Sequence, residues 1–83
     1  MYQIKKKDGT TERFDRFKML TGAMRSGATM EEAERAVQKV ESYVMFSAPK
    51  EGAPKEKVRD QLIKSLSQEN PIAARTYSVL EKK

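Results

Sequence analysis

Basic side chains and a candidate helix start lie close together in the first eighteen residues of the chain. The dipeptide Asp8-Gly9 separates two short strand-like runs, which is typical of a β-hairpin because glycine adopts positive φ without steric cost. Asp15 fits the N-cap of the following helix, where its carboxylate accepts from backbone amides. A helix N-terminus beside cations favours phosphate. The hairpin and helix start therefore predict a phosphate site among Lys5, Lys6, Lys7, Arg13, Arg16 and Lys18.

The composition excludes several kinds of catalytic site. The 83 residues include no cysteine and no histidine, which excludes disulfides, zinc–thiolate centres, cysteine nucleophiles and histidine acid–base chemistry. The sequence contains neither a P-loop motif nor a G-x-G-x-x-G motif. We expect Glu31, Glu34 and Glu41 to lie on a solvated helix face rather than to form a catalytic pair. The sequence therefore predicts a binding module and not an enzyme.

The charge is distributed unevenly along the chain. The formal net charge is +5, and residues 1–27 alone carry seven basic and three acidic side chains. A positive N-terminal lobe favours an anionic partner, either a nucleotide or a nucleic acid. No apolar run is long enough for a membrane span or follows the first lysines as in a signal peptide. We expect a cytoplasmic protein, and the lack of cysteine suits a reducing compartment.

Apolar residues after the hairpin recur at helical spacing in four segments. We expect helices at 16–26, from 30 to about 46, from about 54 to 69 and from 71 onwards, with a loop at 47–54. The sequence therefore predicts an α+β fold, in which an N-terminal β-hairpin packs on a small bundle of four α-helices. We expect residues 1–83 to form one domain with a single core. The residues expected to face this core include Phe17, Leu20, Met24, Met30, Val37, Leu62 and Leu80.

Local signals predict how the helices begin and end. Gly27 suits a C-cap with positive φ, and Gly22 inside the first helix indicates a close approach by another helix. Thr29 and Glu32 have the spacing of a capping box. Asn70-Pro71 predicts a break between the last two helices, because a residue before proline avoids the helical conformation.

The run IKKKDGTTERFDRFKM at residues 4–19 resembles the motif of the ATP-cone family. That motif reads aliphatic-x-Lys-Arg-Asp-Gly, then Glu, then Phe-Asp/Asn, then Lys-Ile/Leu. The run VRD at 58–60 and the run AARTY at 73–77 resemble later parts of the family pattern. The resemblance covers essentially the whole chain, and its N-terminal part is the most specific.

The resemblance implies a regulatory nucleotide-binding domain. ATP cones lie at the N-terminus of ribonucleotide reductases, where ATP and dATP set overall activity, and behind a zinc ribbon in the bacterial regulator of the reductase genes. This chain resembles a stand-alone cone or one cut from a longer protein. The implied function is to bind ATP or dATP, with Mg²⁺ on the phosphates, and to sense the nucleotide without hydrolysing it. The implied partner is a second copy of the chain or a ribonucleotide reductase-type protein.

Site residues follow from the resemblance by position. Lys6, Lys7 and Lys18 would contact phosphates, with Lys7 replacing the usual arginine and so losing a forked donor. Glu12 and Asp15 would orient the nucleoside. Apart from the resemblance, adenine needs an apolar wall, for which Ile4 and Phe14 are nearby candidates. The start of the third helix would close the phosphate side. The expected nucleotide-binding set is therefore Ile4, Lys6, Lys7, Glu12, Asp15, Lys18, Lys55 and Arg59.

Two other functions are compatible with the same basic hairpin. A small nucleic-acid-binding protein would place it on backbone phosphates, although the three tyrosines and three phenylalanines form no evident stacking platform. Affinity for an oligonucleotide would then fall steeply with salt and would not respond to mononucleotides. The other alternative is a degenerate cone that only mediates protein contacts. The intact set of Lys6, Glu12, Asp15 and Lys18 argues against it.

Overall fold

A computed structural model describes residues 3–6, 8–47 and 53–80. Three short strands and four helices follow one another in the order β1-β2-α1-α2-β3-α3-α4. Their bounds are β1 Gln3–Lys5, β2 Thr11–Arg13, α1 Arg16–Arg25, α2 Met30–Ser47, β3 Ala53–Pro54, α3 Lys55–Glu69 and α4 Pro71–Leu80. The predicted α+β fold is confirmed.

The sheet contains the predicted hairpin and one strand that the sequence did not predict. Strands β1 and β2 pair antiparallel, with Ile4 opposite Glu12, and Gly9 between them has φ +89°. Strand β3 pairs in parallel with β1, so the strand order is β2-β1-β3. The expected loop at 47–54 is therefore wrong at both ends, because Ser47 ends α2 and residues 53–54 form β3. The remainder of that loop, residues 48–52, lies outside the described residues.

The predicted capping residues mark the ends of the first two helices. The Lys18 amide donates to the Asp15 carboxylate at 3.2 Å and so caps α1. At the other end of α1, Gly27 has φ +113°, and the Ala28 amide donates to the Ala23 carbonyl at 3.1 Å, as in a Schellman motif. The capping box of α2 is also confirmed, because Thr29 and Glu32 each accept from the other's backbone amide.

The core lies mainly between α2 and α3, which make the most extensive helix–helix contact among the described elements. Its largest fully buried apolar side chains come from one stripe on each helix, namely Val37, Val40 and Val44 on α2 and Val58, Leu62 and Leu66 on α3. Strand β1 adds Ile4, and α4 adds Ala73, Ala74 and Tyr77. The hairpin is therefore anchored to the bundle by β1 and β3.

Several apolar residues predicted to face the core are exposed instead. Phe17 is 74 % exposed and Met30 is 66 % exposed, and the side chains of Met24 and Leu80 are also exposed. In α1 the buried residues are Leu20 and Ala23, so its inward face is narrower than its apolar content indicates. Helical spacing groups residues onto faces, but contacts with other helices decide which face is covered.

Polar contacts join the end of α3 to the start of α2. The Asn70 side-chain amide donates to the Glu32 carboxylate at 3.0 Å, and its carbonyl oxygen accepts from the Ala73 amide at 3.1 Å. The Thr29 amide, followed by Asn70, holds the pKa of the Glu32 carboxyl below its ordinary value. The predicted break at Asn70-Pro71 thus also caps α4. Among the described helices, none combines the length and hydropathy needed to cross a membrane.

Candidate functional site

A cavity of about 830 Å³ lies where the hairpin, the start of α1 and the start of α3 meet, with α4 contributing one residue. We call it the hairpin cavity. Its volume falls in the range of about 300–1,000 Å³ that is typical of small-molecule sites. It is lined by Ile4, Glu12, Arg13, Asp15, Lys18, Met19, Lys55, Glu56, Val58, Arg59, Asp60 and Tyr77.

The lining combines charged groups with an apolar floor. The basic side chains are Arg13, Lys18, Lys55 and Arg59, and the acidic side chains are Glu12, Asp15, Glu56 and Asp60. The apolar side chains of Ile4, Val58 and Tyr77 are buried, and that of Met19 is partly buried. A ligand with a charged end and an apolar end matches such a lining.

Strand β3 positions the start of α3 beside the hairpin. Strand β3 pairs with β1 and leads directly into α3. Pro54 is opposite Lys5 in the sheet, and Lys55 is the next residue. The Glu12 carboxylate then lies between two ammonium groups, with Oε2 3.6 Å from Lys6 Nζ and Oε1 3.6 Å from Lys55 Nζ. The two lysines are about half exposed and Glu12 is about one-third exposed, and both pairs are long, so another anion is able to compete for the two lysines.

The N-terminus of α3 offers backbone donors to the same cavity. Its N-cap residue is Pro54, which makes no side-chain capping hydrogen bond. The first-turn residues Lys55 and Glu56 line the cavity, and one turn further on Arg59 lines it too. The Arg59 Nε atom is buried and makes no hydrogen bond within the described part of the chain. A buried donor without an acceptor is uncommon, because leaving it unpaired costs about 1–3 kcal/mol.

The structure brings most of the expected nucleotide-binding residues together. The residues of that set that line the hairpin cavity are Ile4, Glu12, Asp15, Lys18, Lys55 and Arg59. Lys6 lies beside it, where it lines a smaller depression of about 120 Å³ that also includes Lys55. Lys7 lies outside the described residues. The roles of all these residues in binding stay predictions.

Arg16 does not belong to the cation cluster in which the sequence placed it. Its Nη2 atom donates to Glu34 Oε1 at 2.5 Å and to Glu41 Oε1 at 3.2 Å, which ties α1 to α2. Hydrogen bonds to Glu34 and then to Glu41 raise the pKa of Arg16. Of the three glutamates expected on a solvated helix face, Glu31 is exposed, whereas Glu34 and Glu41 are about one-third exposed and are paired with Arg16. Arg16 is therefore neutralised by two partners and is not available to a ligand.

Sequence reasoning missed part of the lining. Glu56 and Asp60 share a helix face with Lys55 and Arg59, and that spacing is visible in the sequence. Tyr77 carried no local signal, because it reaches the cavity from the last helix. Tyr77 contacts α1 at Gly22, where an added Cβ would lie 3.0 Å from the Tyr77 Cε2 atom. The close helix approach predicted at Gly22 is therefore confirmed.

Together, the fold and the cavity define a small α+β domain with a ligand cavity at a hairpin–helix junction. The family model described as the ATP cone domain matches residues 2–83, and the chain belongs to this family. ATP cone domains are regulatory, nucleotide-binding modules that bind ATP or dATP and are not catalytic. A search of curated proteins finds no match to this chain.

Proposed function

We propose that this domain binds ATP or dATP in the hairpin cavity and senses the nucleotide without hydrolysing it. The triphosphate lies against Lys18, Lys55 and Arg59, and the N-terminus of α3 supplies backbone donors. Lys6 and Lys7 contribute charge from the hairpin side. Glu12 and Asp15 orient the nucleoside, and Ile4 forms part of the apolar surface beneath it.

The observation that carries the proposal is that Lys18, Lys55 and Arg59 line one cavity beside the N-terminus of α3. Arginine recognises phosphate through parallel N–H donors, and lysine adds positive charge. The same anion satisfies the α3 amides that Pro54 leaves without a side-chain cap. One phosphate group would therefore bind both to Arg59 and to the backbone amides at the start of α3.

The residues present fit a nucleotide that carries its own metal ion. Among the described residues, no group of three or more carboxylates is arranged to hold a metal. Mg²⁺ commonly binds through substrate phosphates with one or two protein carboxylates. We therefore propose that Mg²⁺ enters with the triphosphate, with the nearby Asp60 or Glu56 as the protein carboxylate. Incubation with Mg²⁺ and ATP is expected to leave the ATP intact, and ADP formation above the protein-free rate would contradict this.

Regulation requires that nucleotide binding changes a contact with another protein. We propose that the partner is a second copy of this chain or a ribonucleotide reductase-type protein. A ligand shifts such an equilibrium only if it binds one state more tightly than the other. Light scattering with and without ATP and dATP tests self-association directly, and a change in mass with either nucleotide is the expected result if the partner is a second copy.

Calorimetric titration with ATP, dATP and GTP tests the binding proposal. We expect Lys18→Ala to weaken ATP binding by roughly tenfold or more, since a hydrogen bond to a charged group contributes about 1.5–3 kcal/mol. Lys57→Ala is the matched control, because Lys57 is an exposed lysine of α3 that does not line the cavity. No heat with any nucleotide, or equal binding by wild type and Lys18→Ala, would refute the proposal.

An oligonucleotide titration distinguishes nucleotide binding from nucleic-acid binding. A single-stranded oligonucleotide is titrated at about 50 mM and about 200 mM salt, with and without ATP. Affinity that falls steeply with salt and is unaffected by ATP would favour the nucleic-acid function. We expect ATP to displace any oligonucleotide that binds.

A further inference from the structure

One exposed apolar stripe runs along α1 and another runs along α4. In α1, Phe17 is 74 % exposed and Met24 is 40 % exposed, and in α4, Ile72 is 78 % exposed and Val79 is 62 % exposed. In each helix the two apolar residues are seven positions apart, and an exposed threonine follows the first after four positions. The three side chains of each stripe therefore share one helix face. None of them lines the hairpin cavity, so the nucleotide site leaves both stripes unexplained.

The two stripes lie on the same side of the domain. The side chain of Asn70, just before α4, donates to Glu32 near the start of α2 at 3.0 Å, and Tyr77 later in α4 packs on Gly22 in α1. Because the chain turns from α1 into α2 within residues 26–29, α4 begins near the end of α1 and runs antiparallel to it. The exposed threonine of each stripe immediately precedes the contact residue of its helix, so each stripe is rotated from that contact by about 100°. In antiparallel helices, these equal rotations bring both stripes to one side. We call this surface the outer face, and it consists of Phe17, Thr21, Met24, Ile72, Thr76 and Val79.

The charges that border the outer face are positive. Neither α1 nor α4 contains an aspartate or a glutamate. Arg25 lies four residues after Thr21 and Arg75 lies three residues after Ile72, so each is a neighbour of the outer face on its helix. Both arginines are exposed, and neither makes an ion pair within the described part of the chain. A second copy of the same face offers no carboxylate to these arginines, so the charge favours an acidic partner.

We propose that the outer face binds an amphipathic helix of another protein, in which acidic residues flank the apolar stripe. Two adjacent antiparallel helices leave a groove between them, into which the side chains of a third helix pack. The apolar stripes supply the contact area, whereas Arg25 and Arg75 pair with carboxylates and so select an acidic partner over a basic one. The outer face is separate from the hairpin cavity, so the inference does not rest on the proposed nucleotide binding.

An anionic membrane is the other surface that would meet both apolar and basic groups. Segments that bind anionic lipid typically carry clusters of about four to eight lysines or arginines. Fewer of the described cations border the outer face, which is also divided between two helices. The groove between two helices therefore fits a third helix better than it fits a lipid surface.

Two synthetic peptides test the inference by NMR titration of the whole 83-residue chain. Both are about 18 residues long with leucines at helical spacing, and one carries glutamates beside the leucines where the other carries lysines. We expect the acidic peptide to shift the backbone resonances of the outer face and to bind about tenfold more tightly than the basic peptide. No shift at about 1 mM acidic peptide, shifts centred on another surface, or equal binding of the two peptides would overturn the inference.

Variants at exposed positions test the apolar and the charged contacts separately. Phe17→Ser is expected to weaken binding of the acidic peptide by about tenfold or more, because aromatic residues contribute strongly to interfaces. The matched control is Phe46→Ser, since Phe46 is 79 % exposed but lies near the end of α2. The double variant Arg25→Gln with Arg75→Gln is expected to remove most of the preference for the acidic peptide. Equal weakening by Phe17→Ser and Phe46→Ser would contradict the proposed surface, and the wild-type comparison of the two peptides decides the matter even if a variant does not fold.

Two further measurements identify a different occupant of the outer face. We expect the chain without nucleotide to sediment as a monomer and not to float with vesicles of phosphatidylcholine and phosphatidylglycerol. Self-association that Phe17→Ser abolishes would assign the outer face to a second copy, and vesicle binding that the same variant abolishes would assign it to a membrane. Either result would overturn the inference. ATP binding by Phe17→Ser is expected to equal that of the wild type, so failure of this inference leaves the proposed nucleotide binding untouched.

Discussion

Replacing Arg59 by methionine separates the stability of this domain from its function. Methionine keeps an unbranched apolar stem of similar length but removes the guanidinium group, including the buried Nε donor. The proposal predicts that Arg59→Met weakens nucleotide binding while the ligand-free domain remains as stable as the wild type. A residue placed for structure alone would show the opposite behaviour.

The magnitude follows from the unpaired donor. A buried polar group without a partner costs about 1–3 kcal/mol. The free energy gained by removing this group therefore offsets the packing contacts that are lost with the longer arginine side chain. In Arg59, Nε is the atom that is buried without a partner among the described residues, and the residue as a whole is half-buried. We therefore expect the free energy of unfolding without ligand to be unchanged, or raised by up to about 1 kcal/mol.

Urea denaturation with and without ATP measures both effects in one assay. At an ATP concentration of about 100 times the wild-type dissociation constant, ligand adds about 2.7 kcal/mol to wild-type stability. If Arg59→Met weakens binding by about a hundredfold, the same concentration adds only about 0.4 kcal/mol. The difference of about 2.3 kcal/mol is well above the uncertainty of such measurements.

Lys57→Met is the matched control for this experiment. It removes one positive charge from the same helix at an exposed position outside the cavity lining. We expect this control to retain the full ATP-dependent stabilisation. The reasoning is refuted if Arg59→Met lowers the ligand-free stability by more than about 1 kcal/mol and still gains as much from ATP as the wild type does.

Three further predictions concern the contacts that hold the helices together. Asn70→Ala removes the N-cap of α4 and is expected to lower the free energy of unfolding by about 1 kcal/mol in urea titrations, with Asn70→Ser retaining part of it. Arg16→Gln leaves Glu34 and Glu41 without their shared cation. We therefore expect the variant's thermal midpoint to fall further below that of the wild type at pH 7 than at pH 4, and equal losses at the two pH values would contradict this. Because the pKa of Glu32 is lowered in the folded state, its contribution is present above its ordinary value of 4.5 and is lost as pH falls through the lowered pKa. Glu32→Gln should therefore flatten the stability profile between pH 6 and pH 3, and a profile identical to wild type would count against this.

The sequence determined the features that depend on neighbouring residues. The turn at Gly9, the cap at Asp15, the C-cap at Gly27 and the capping box after it all form by hydrogen bonds within a few residues. Such bonds have the same geometry in any fold, so the residue types alone predict them. Helical spacing likewise predicted the valines of α2 and the leucines of α3 as core.

The family pattern extended this prediction to the cavity. It identified residues on the hairpin, α1 and α3 that are far apart in sequence but line one space in the structure. Local reasoning alone would have kept Arg16 in the same group, because it precedes Lys18 by two residues. On a helix two residues so spaced point in different directions, and Arg16 meets Glu34 instead.

Only the tertiary structure decided which faces are covered and which distant segments meet. The short strand at Ala53 exists because β1 offers it backbone partners, and no residue nearby signals that pairing. Phe17 is exposed because the described helices cover another face of α1. Tyr77 reaches the cavity because Gly22, more than fifty residues earlier in the chain, leaves space for its ring. These outcomes depend on contacts between segments far apart in sequence, and such contacts arise only when the whole chain packs together.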